Sequence, residues 1–139
     1  MQGECLCGRV KFEIDGKIRN LYQCHCSLCR KTTGAAANAA TFVQSSSFHW
    51  VSGQSEIRSY QKPSGFRSDF CSSCGSPVPN SLRGTEMVWV PAGLLDELAV
   101  SRVSVHLHTA SAAPWEQESA ECLRLEGGPE GLESLNKLL

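Results

Sequence analysis

The residues most able to do chemistry in this chain lie in Cys24-His25-Cys26-Ser27-Leu28-Cys29-Arg30-Lys31: three thiols within six residues, a histidine between two of them, and two cations behind. Two close pairs flank this stretch, Cys5-Leu6-Cys7 before it and Cys71-Ser72-Ser73-Cys74 after it. Spacings of C-x-C and C-x-x-C suit a tetrahedral metal, because Zn–S bonds of about 2.3 Å draw neighbouring thiolates onto one ion. They suit disulfides poorly, since a bridge needs Cα separations and directions that near neighbours rarely offer. The opening Met1-Gln2-Gly3-Glu4-Cys5 lacks the basic-then-apolar pattern of an export signal, so the expected compartment is the cytoplasm, where thiols stay reduced.

Seven of the eight cysteines fall in these clusters, and Cys122 stands apart as an expected free thiol. Seven divides into four and three. A closed structural zinc site takes four protein ligands, whereas a reactive site takes three and keeps a position for water or substrate. Cys5, Cys7, Cys71 and Cys74 would make the closed site, joining the start of the chain to its middle and supplying folding free energy. Cys24, Cys26 and Cys29 would hold a second zinc with an open position. Counting alone does not force that partition. His25 is an alternative fourth ligand, and one of the pairs is an alternative complement to the triad.

The elements that must position these thiols are mostly short strands. In Arg9-Val10-Lys11-Phe12-Glu13-Ile14 apolar and charged residues alternate strictly, which predicts a half-buried strand closed by a turn at Asp15-Gly16. A second strand over residues 19–23 delivers Cys24. Residues 27–33 predict one or two helical turns ending near Gly34. Further strands are expected at residues 41–43, 48–51, 57–60, 66–70, 78–82, 86–90 and 102–108, with a helical turn at Leu94-Leu95-Asp96. Cys71, Cys74 and Gly75 read as a zinc knuckle, a tight turn whose N–H groups face the sulfurs. The sum is a mainly antiparallel β-domain over residues 1–115. Residues 116–139 read as a C-terminal tail in which Leu132, Leu135, Leu138 and Leu139 line a short helix.

Composition limits the partners. The 139 residues suit one domain, with 41% hydrophobic and 19% charged residues supporting a globular core. A formal net charge of -1 and the lack of a basic tail argue against nucleic acid and anionic membrane surfaces. No apolar stretch approaches the roughly 20 residues that span a bilayer.

The chain resembles the glutathione-dependent formaldehyde-activating enzyme family, whose domain is shared with centromere protein V. The matching pieces are Gly3-Glu4-Cys5-Leu6-Cys7-Gly8 with the alternating strand behind it, Cys24-His25-Cys26-Ser27-Leu28-Cys29-Arg30-Lys31, Phe70-Cys71-Ser72-Ser73-Cys74-Gly75-Ser76-Pro77, and Ala113-Pro114-Trp115 after His106. The resemblance implies a β-tent-type fold of stacked antiparallel sheets with short helical turns. It also implies two zinc ions per chain, a structural one on Cys5, Cys7, Cys71 and Cys74 and a reactive one on Cys24, Cys26 and Cys29. The implied activity is a carbon–sulfur lyase reaction, the reversible joining of glutathione and formaldehyde to S-hydroxymethylglutathione. Fold transfers across such a family more securely than substrate does.

A free thiol of pKa about 8.5 is mostly protonated at neutral pH, and coordination to zinc raises its thiolate fraction. Three thiolate ligands make the ion a poor Lewis acid, so proximity is expected to supply much of any rate gain. Arg30, Lys31 and His25 are candidates for offsetting the negative charge of the triad. Arg58, Lys62 and Arg67 are candidates for clamping the carboxylates of glutathione. His106 and His108, two apart on an expected strand, would share a face. Trp115 is the pocket aromatic expected from the resemblance. The competing reading is a non-catalytic, zinc-stabilised interaction module, which a triad without an adjoining pocket would favour.

Overall fold

Alternation over residues 10–14 is met by burial: Val10, Phe12 and Ile14 are all inside, while Lys11 and Glu13 face out. The computed structural model describes residues 1–96 and 101–116. Strands β1 (Gln2–Glu4), β2 (Lys11–Ile14) and β5 (Phe48–Ser52) form an antiparallel sheet in the order β1-β2-β5. Phe12 stacks on Phe48 with ring centroids 5.4 Å apart and meets Trp50 edge-on at 6.1 Å. Gly3 lies opposite Phe12, and a Cβ at that position would strike the phenyl ring. The short β1 strand, which the sequence does not predict, pairs with β2, and this close approach requires glycine at position 3.

The second sheet has five strands in the order β11-β3-β4-β10-β9, where β3 is Asn20–Cys24, β4 is Asn38–Gln44, β9 is Asn80–Ser81, β10 is Met87–Pro91 and β11 is Arg102–Leu107. All its pairings are antiparallel except that of β11 with β3. Its two faces do different work. Val88 and Val90 of β10 join Phe12, Ile14, Ile18 and Leu95 in the main hydrophobic cluster, with Leu21 and Val43 packed against it. Side chains alternate across a sheet, so Tyr22 and Cys24 of β3, Asn38 and Phe42 of β4 and Trp89 of β10 occupy the opposite face.

The third sheet, β6-β7-β8, is built from β6 (Ile57–Gln61), β7 (Arg67–Cys71) and β8 (Pro77–Val78). The sequence predicts one strand over residues 78–82. The chain instead changes sheets there: β8 pairs with β7, and β9 pairs with β10. Pro79 lies at the break, and a residue without an N–H cannot continue a ladder. The expected helical turn at residues 94–96 occurs slightly earlier, as a 3-10 turn over Ala92–Leu94. A second buried cluster contains Cys5, Val10, Cys71 and Val78, so the alternating segment over residues 10–14 feeds both cores.

These stacked, mainly antiparallel sheets make a β-tent-type architecture. Among the described residues no helix is long and apolar enough to cross a membrane. The leucines at 132, 135, 138 and 139, and Cys122, lie outside the described residues. Phe12 touches both aromatic neighbours and is almost wholly enclosed. Replacing Phe12 with alanine is therefore expected to lower stability by about 3–5 kcal/mol, read as a reduced urea midpoint at constant zinc.

Candidate metal centre and adjoining cavity

Two tight turns carry the four-sulfur cluster. Gly8 N–H donates to the Cys5 carbonyl at 2.8 Å, and Gly75 N–H to the Cys71 carbonyl at 2.8 Å. Both glycines have positive φ, 71° and 75°, where a side chain would be strained. The sulfurs of Cys5, Cys7, Cys71 and Cys74 all lie within 4.8 Å of one another. Cys5 and Cys7 sulfurs are 3.6 Å apart, and those of Cys7 and Cys71 3.8 Å. A tetrahedron with Zn–S of about 2.3 Å has edges of about 3.8 Å, so this spacing fits zinc. Val10 N–H donates to Cys5 Sγ at 3.3 Å, and Cys74 Sγ lies 3.3 Å from Ser76 Oγ.

Protonation within this cluster is divided. Hydrogen bonds from the Ser76 side chain and backbone hold the Cys74 thiol down to about 6. At Cys7 a backbone hydrogen bond from Arg9 acts downward, yet desolvation and the neighbouring sulfurs outweigh it and push the thiol up to about 11. Thiolates packed this closely oppose one another's ionisation. A divalent cation removes the conflict, which is a second respect in which the donor set fits a metal.

The sulfurs of Cys24, Cys26 and Cys29 form a separate three-membered group, again within 4.8 Å. Cys24 ends β3. Cys26 is the N-cap of helix α1 (Ser27–Thr33), its sulfur accepting from Cys29 N–H at 3.5 Å, and Gly34 closes the helix in the left-handed conformation. One helical turn thus brings Cys29 over Cys26. Burial raises the Cys26 thiol, but the Cys29 N–H and the adjacent thiols outweigh it and the net direction is down. Cys29 is raised, by burial first and then by Cys24 and Cys26.

His25 belongs to neither group. It is only 4% exposed and turns towards β11, where its Nε2 is 2.9 Å from His106 Nδ1. Its Nδ1 lies 2.7 Å from Glu116 Oε1, off the line of a good hydrogen bond. His25 N–H also donates to the Leu107 carbonyl at 2.9 Å. With both ring nitrogens facing other side chains, His25 is a strap from the triad loop to β11 rather than a fourth ligand. Arg30 Nε donates to the His25 carbonyl at 3.3 Å, and Lys31 is exposed. His106 and His108 do not act as a pair: the strand ends at Leu107, and His108 takes a φ of 57°. The His25–His106–Glu116 contacts left no local signal, because they join segments far apart in the chain.

A cavity of about 650 Å³ opens beside the triad and includes Cys29 in its lining. One wall is the exposed face of the five-stranded sheet. There Tyr22 and Phe42 stack at 5.1 Å, and Trp89 Nε1–H donates to Tyr22 Oη at 2.7 Å. Burial pushes the Tyr22 phenol up to about 12, with the Trp89 hydrogen bond acting downward and the triad charges adding to the rise. The β6–β7 hairpin contributes Arg67, and the turn after β9 contributes Arg83. Arg67 is held as a fork on buried Asp69, at 2.7 Å from Nε and 2.6 Å from Nη2. Arg83 Nη1 lies across Gly65, 3.2 Å from where a Cβ would stand.

Of the expected carboxylate-clamp residues, Arg67 lines the cavity; Arg58 instead donates to the Ser55 and Ile57 carbonyls. Lys62 is not in the lining, whereas Arg83, which no sequence pattern singles out, is. Trp115, expected as the pocket aromatic, is 69% exposed and lines no part of this cavity. Trp89 takes that place.

Residues 1–111 match the family model described as glutathione-dependent formaldehyde-activating enzyme. The chain is 31% identical over 132 residues to a protein of Halomonas elongata named "Putative glutathione-dependent formaldehyde-activating enzyme", covering 87% of this chain and 83% of that one. A solved structure of a Rhodobacter sphaeroides protein superposes with a TM-score of 0.61 at 24% identity, over 76% of this chain and 99% of that one, which bears on fold alone. The chain belongs to the glutathione-dependent formaldehyde-activating enzyme family.

The two sulfur groups differ in what they connect. Cys74→Ser is expected to lower the melting temperature sharply, because it opens a group that joins two distant turns. Cys26→Ser is expected to leave the melt nearly intact, since serine is itself a good N-cap for α1. Circular dichroism melts of the two zinc-loaded variants check this, and equal damage from both would refute the division.

Proposed function

We propose that this protein is a zinc-dependent carbon–sulfur lyase-type enzyme of the reducing cytoplasm. It joins glutathione, or a related small thiol, to formaldehyde and splits the adduct again, as an S-hydroxymethylglutathione synthase does. The reading rests on one observation above others: a group of three sulfurs, one short of a closed site, borders a cavity large enough for a tripeptide. The adjoining pocket weighs against a purely structural module. In this reading Cys5, Cys7, Cys71 and Cys74 hold a structural zinc, and Cys24, Cys26 and Cys29 hold a second zinc at the reactive site.

Zinc bound at the triad would favour the thiolate form of an incoming thiol. The protein's own residues supply position and charge. Residues 1–115 form the working domain. Cys29 brings the triad to the cavity, while the His25 strap keeps the loop between Cys24 and Cys29 against β11. Arg67 and Arg83 present guanidinium groups to the carboxylates of glutathione. Asp69 fixes the Arg67 fork before substrate arrives, which reduces the ordering cost of binding. In the reaction the thiol loses its proton, sulfur bonds to the aldehyde carbon, and the carbonyl oxygen ends as a hydroxyl.

Metal analysis of protein purified without chelator is expected to give two zinc per chain, and the protein is expected to accelerate glutathione-dependent loss of free formaldehyde. One zinc per chain with no acceleration would refute the assignment. Arg83→Gln is expected to raise the KM for glutathione about tenfold, in line with the loss of one charged hydrogen bond. Glutathione diethyl ester, whose carboxylates are masked, should not respond to the same substitution; steady-state kinetics with both thiols make the comparison.

A further inference from the structure

The cavity wall contains a hydrogen-bond donor whose direction is set by its neighbour. Trp89 Nε1–H lies 2.7 Å from Tyr22 Oη. An indole nitrogen only donates, so the phenol oxygen is the acceptor in this pair. The phenol's own hydrogen must therefore be directed elsewhere. Among the described residues Tyr22 Oη takes part in the Trp89 hydrogen bond and donates none, and the residue lines the open cavity. Phe42, stacked at 5.1 Å and nearly parallel at 17°, blocks one face of the ring and limits its swing.

The position relative to the thiols is equally constrained. Tyr22 and Cys24 are two apart on β3, so their side chains leave the same face, with Cα atoms about 7 Å apart. Tyr22 and Cys29 line the same cavity. A substrate group held at the triad would therefore share the cavity that Tyr22 lines.

We propose that Tyr22 is a catalytic residue whose O–H donates to the aldehyde-derived oxygen of the substrate, and that Trp89 is the positioning residue that aims it. This rests on the thiol–aldehyde reading above. As the sulfur lone pair forms the S–C bond, the C=O π pair moves onto oxygen. The Tyr22 hydrogen bond stabilises that oxygen as its charge develops. The proton the thiol loses passes to solvent, the oxygen takes one up from solvent, and Tyr22 keeps its own. In the reverse direction the same contact holds the hydroxyl of the adduct while the S–C bond breaks.

The test uses the full chain loaded with zinc, with Tyr22→Phe, Trp89→Phe and the double variant. Tyr22→Phe keeps the ring that stacks on Phe42, and thermal melts confirm that each variant folds. The expected result for Tyr22→Phe is a kcat about 10- to 100-fold lower with the affinity for glutathione alone changed less than twofold. Carbon-13 formaldehyde and glutathione mixed with stoichiometric protein should show the bound adduct weakened about tenfold in Tyr22→Phe, a readout separate from turnover. Trp89→Phe should lose part of the rate, and the double variant should be no slower than Tyr22→Phe, because the indole acts only through the phenol. An unchanged kcat in Tyr22→Phe would overturn the proposal, as would equal loss of glutathione affinity and rate, or additive losses in the double variant. A wild-type protein that binds glutathione without accelerating adduct formation would overturn the thiol–aldehyde reading itself, and this proposal with it.

Discussion

Grouping four sulfurs from two turns that lie far apart in the chain is the constraint on which the rest of this structure depends. Cys5 and Cys71 are buried among Val10 and Val78, so the group is part of the apolar interior rather than attached to its surface. Each turn presents its sulfurs through a glycine at positive φ and through N–H groups the chain must otherwise satisfy. The β1-β2-β5 sheet follows from one turn and the β6-β7-β8 sheet from the other. Small β-domains bury a modest share of their surface, and an ion held by these four sulfurs would offset that deficit by tying the sheets together.

The five-stranded sheet converts this frame into a site. One of its faces packs Val88 and Val90 into the core, so its register is firmly specified. A one-residue slip would exchange the faces and bury Trp89 and Phe42 in place of the valines. Because the core fixes one face, the other is fixed too, and Tyr22, Phe42 and Trp89 appear side by side on it. Precision at the cavity is thus inherited from packing on the far side of the same strands.

Electrostatics complete the arrangement. The triad lies at the end of β3, and the cavity beside it carries two guanidinium groups on separate hairpins. Asp69, only 4% exposed, is satisfied by Arg67 and Ser59, so the buried carboxylate is paired at the same time as the arginine is oriented. His25 plays a comparable part for the triad loop, using one buried ring to join it to β11 and the turn at Pro114–Glu116.

Local sequence determined much of this. The inward row Val10, Phe12 and Ile14, the helix from Ser27 to Thr33 with its glycine stop, and the grouping of close-set thiols follow from period, capping and spacing, each readable within a few residues. Tertiary structure decided what depends on residues meeting across the fold. Pro79 divides an apparent strand because β8 and β9 pair with different partners. His106 meets His25 rather than His108, since a left-handed residue ends the strand. The cavity takes Trp89 and Arg83 rather than Trp115 and Arg58, because strand register and hairpin placement set which side chains share a face. Such juxtapositions arise from pairing between distant segments, and no local pattern of residues encodes them.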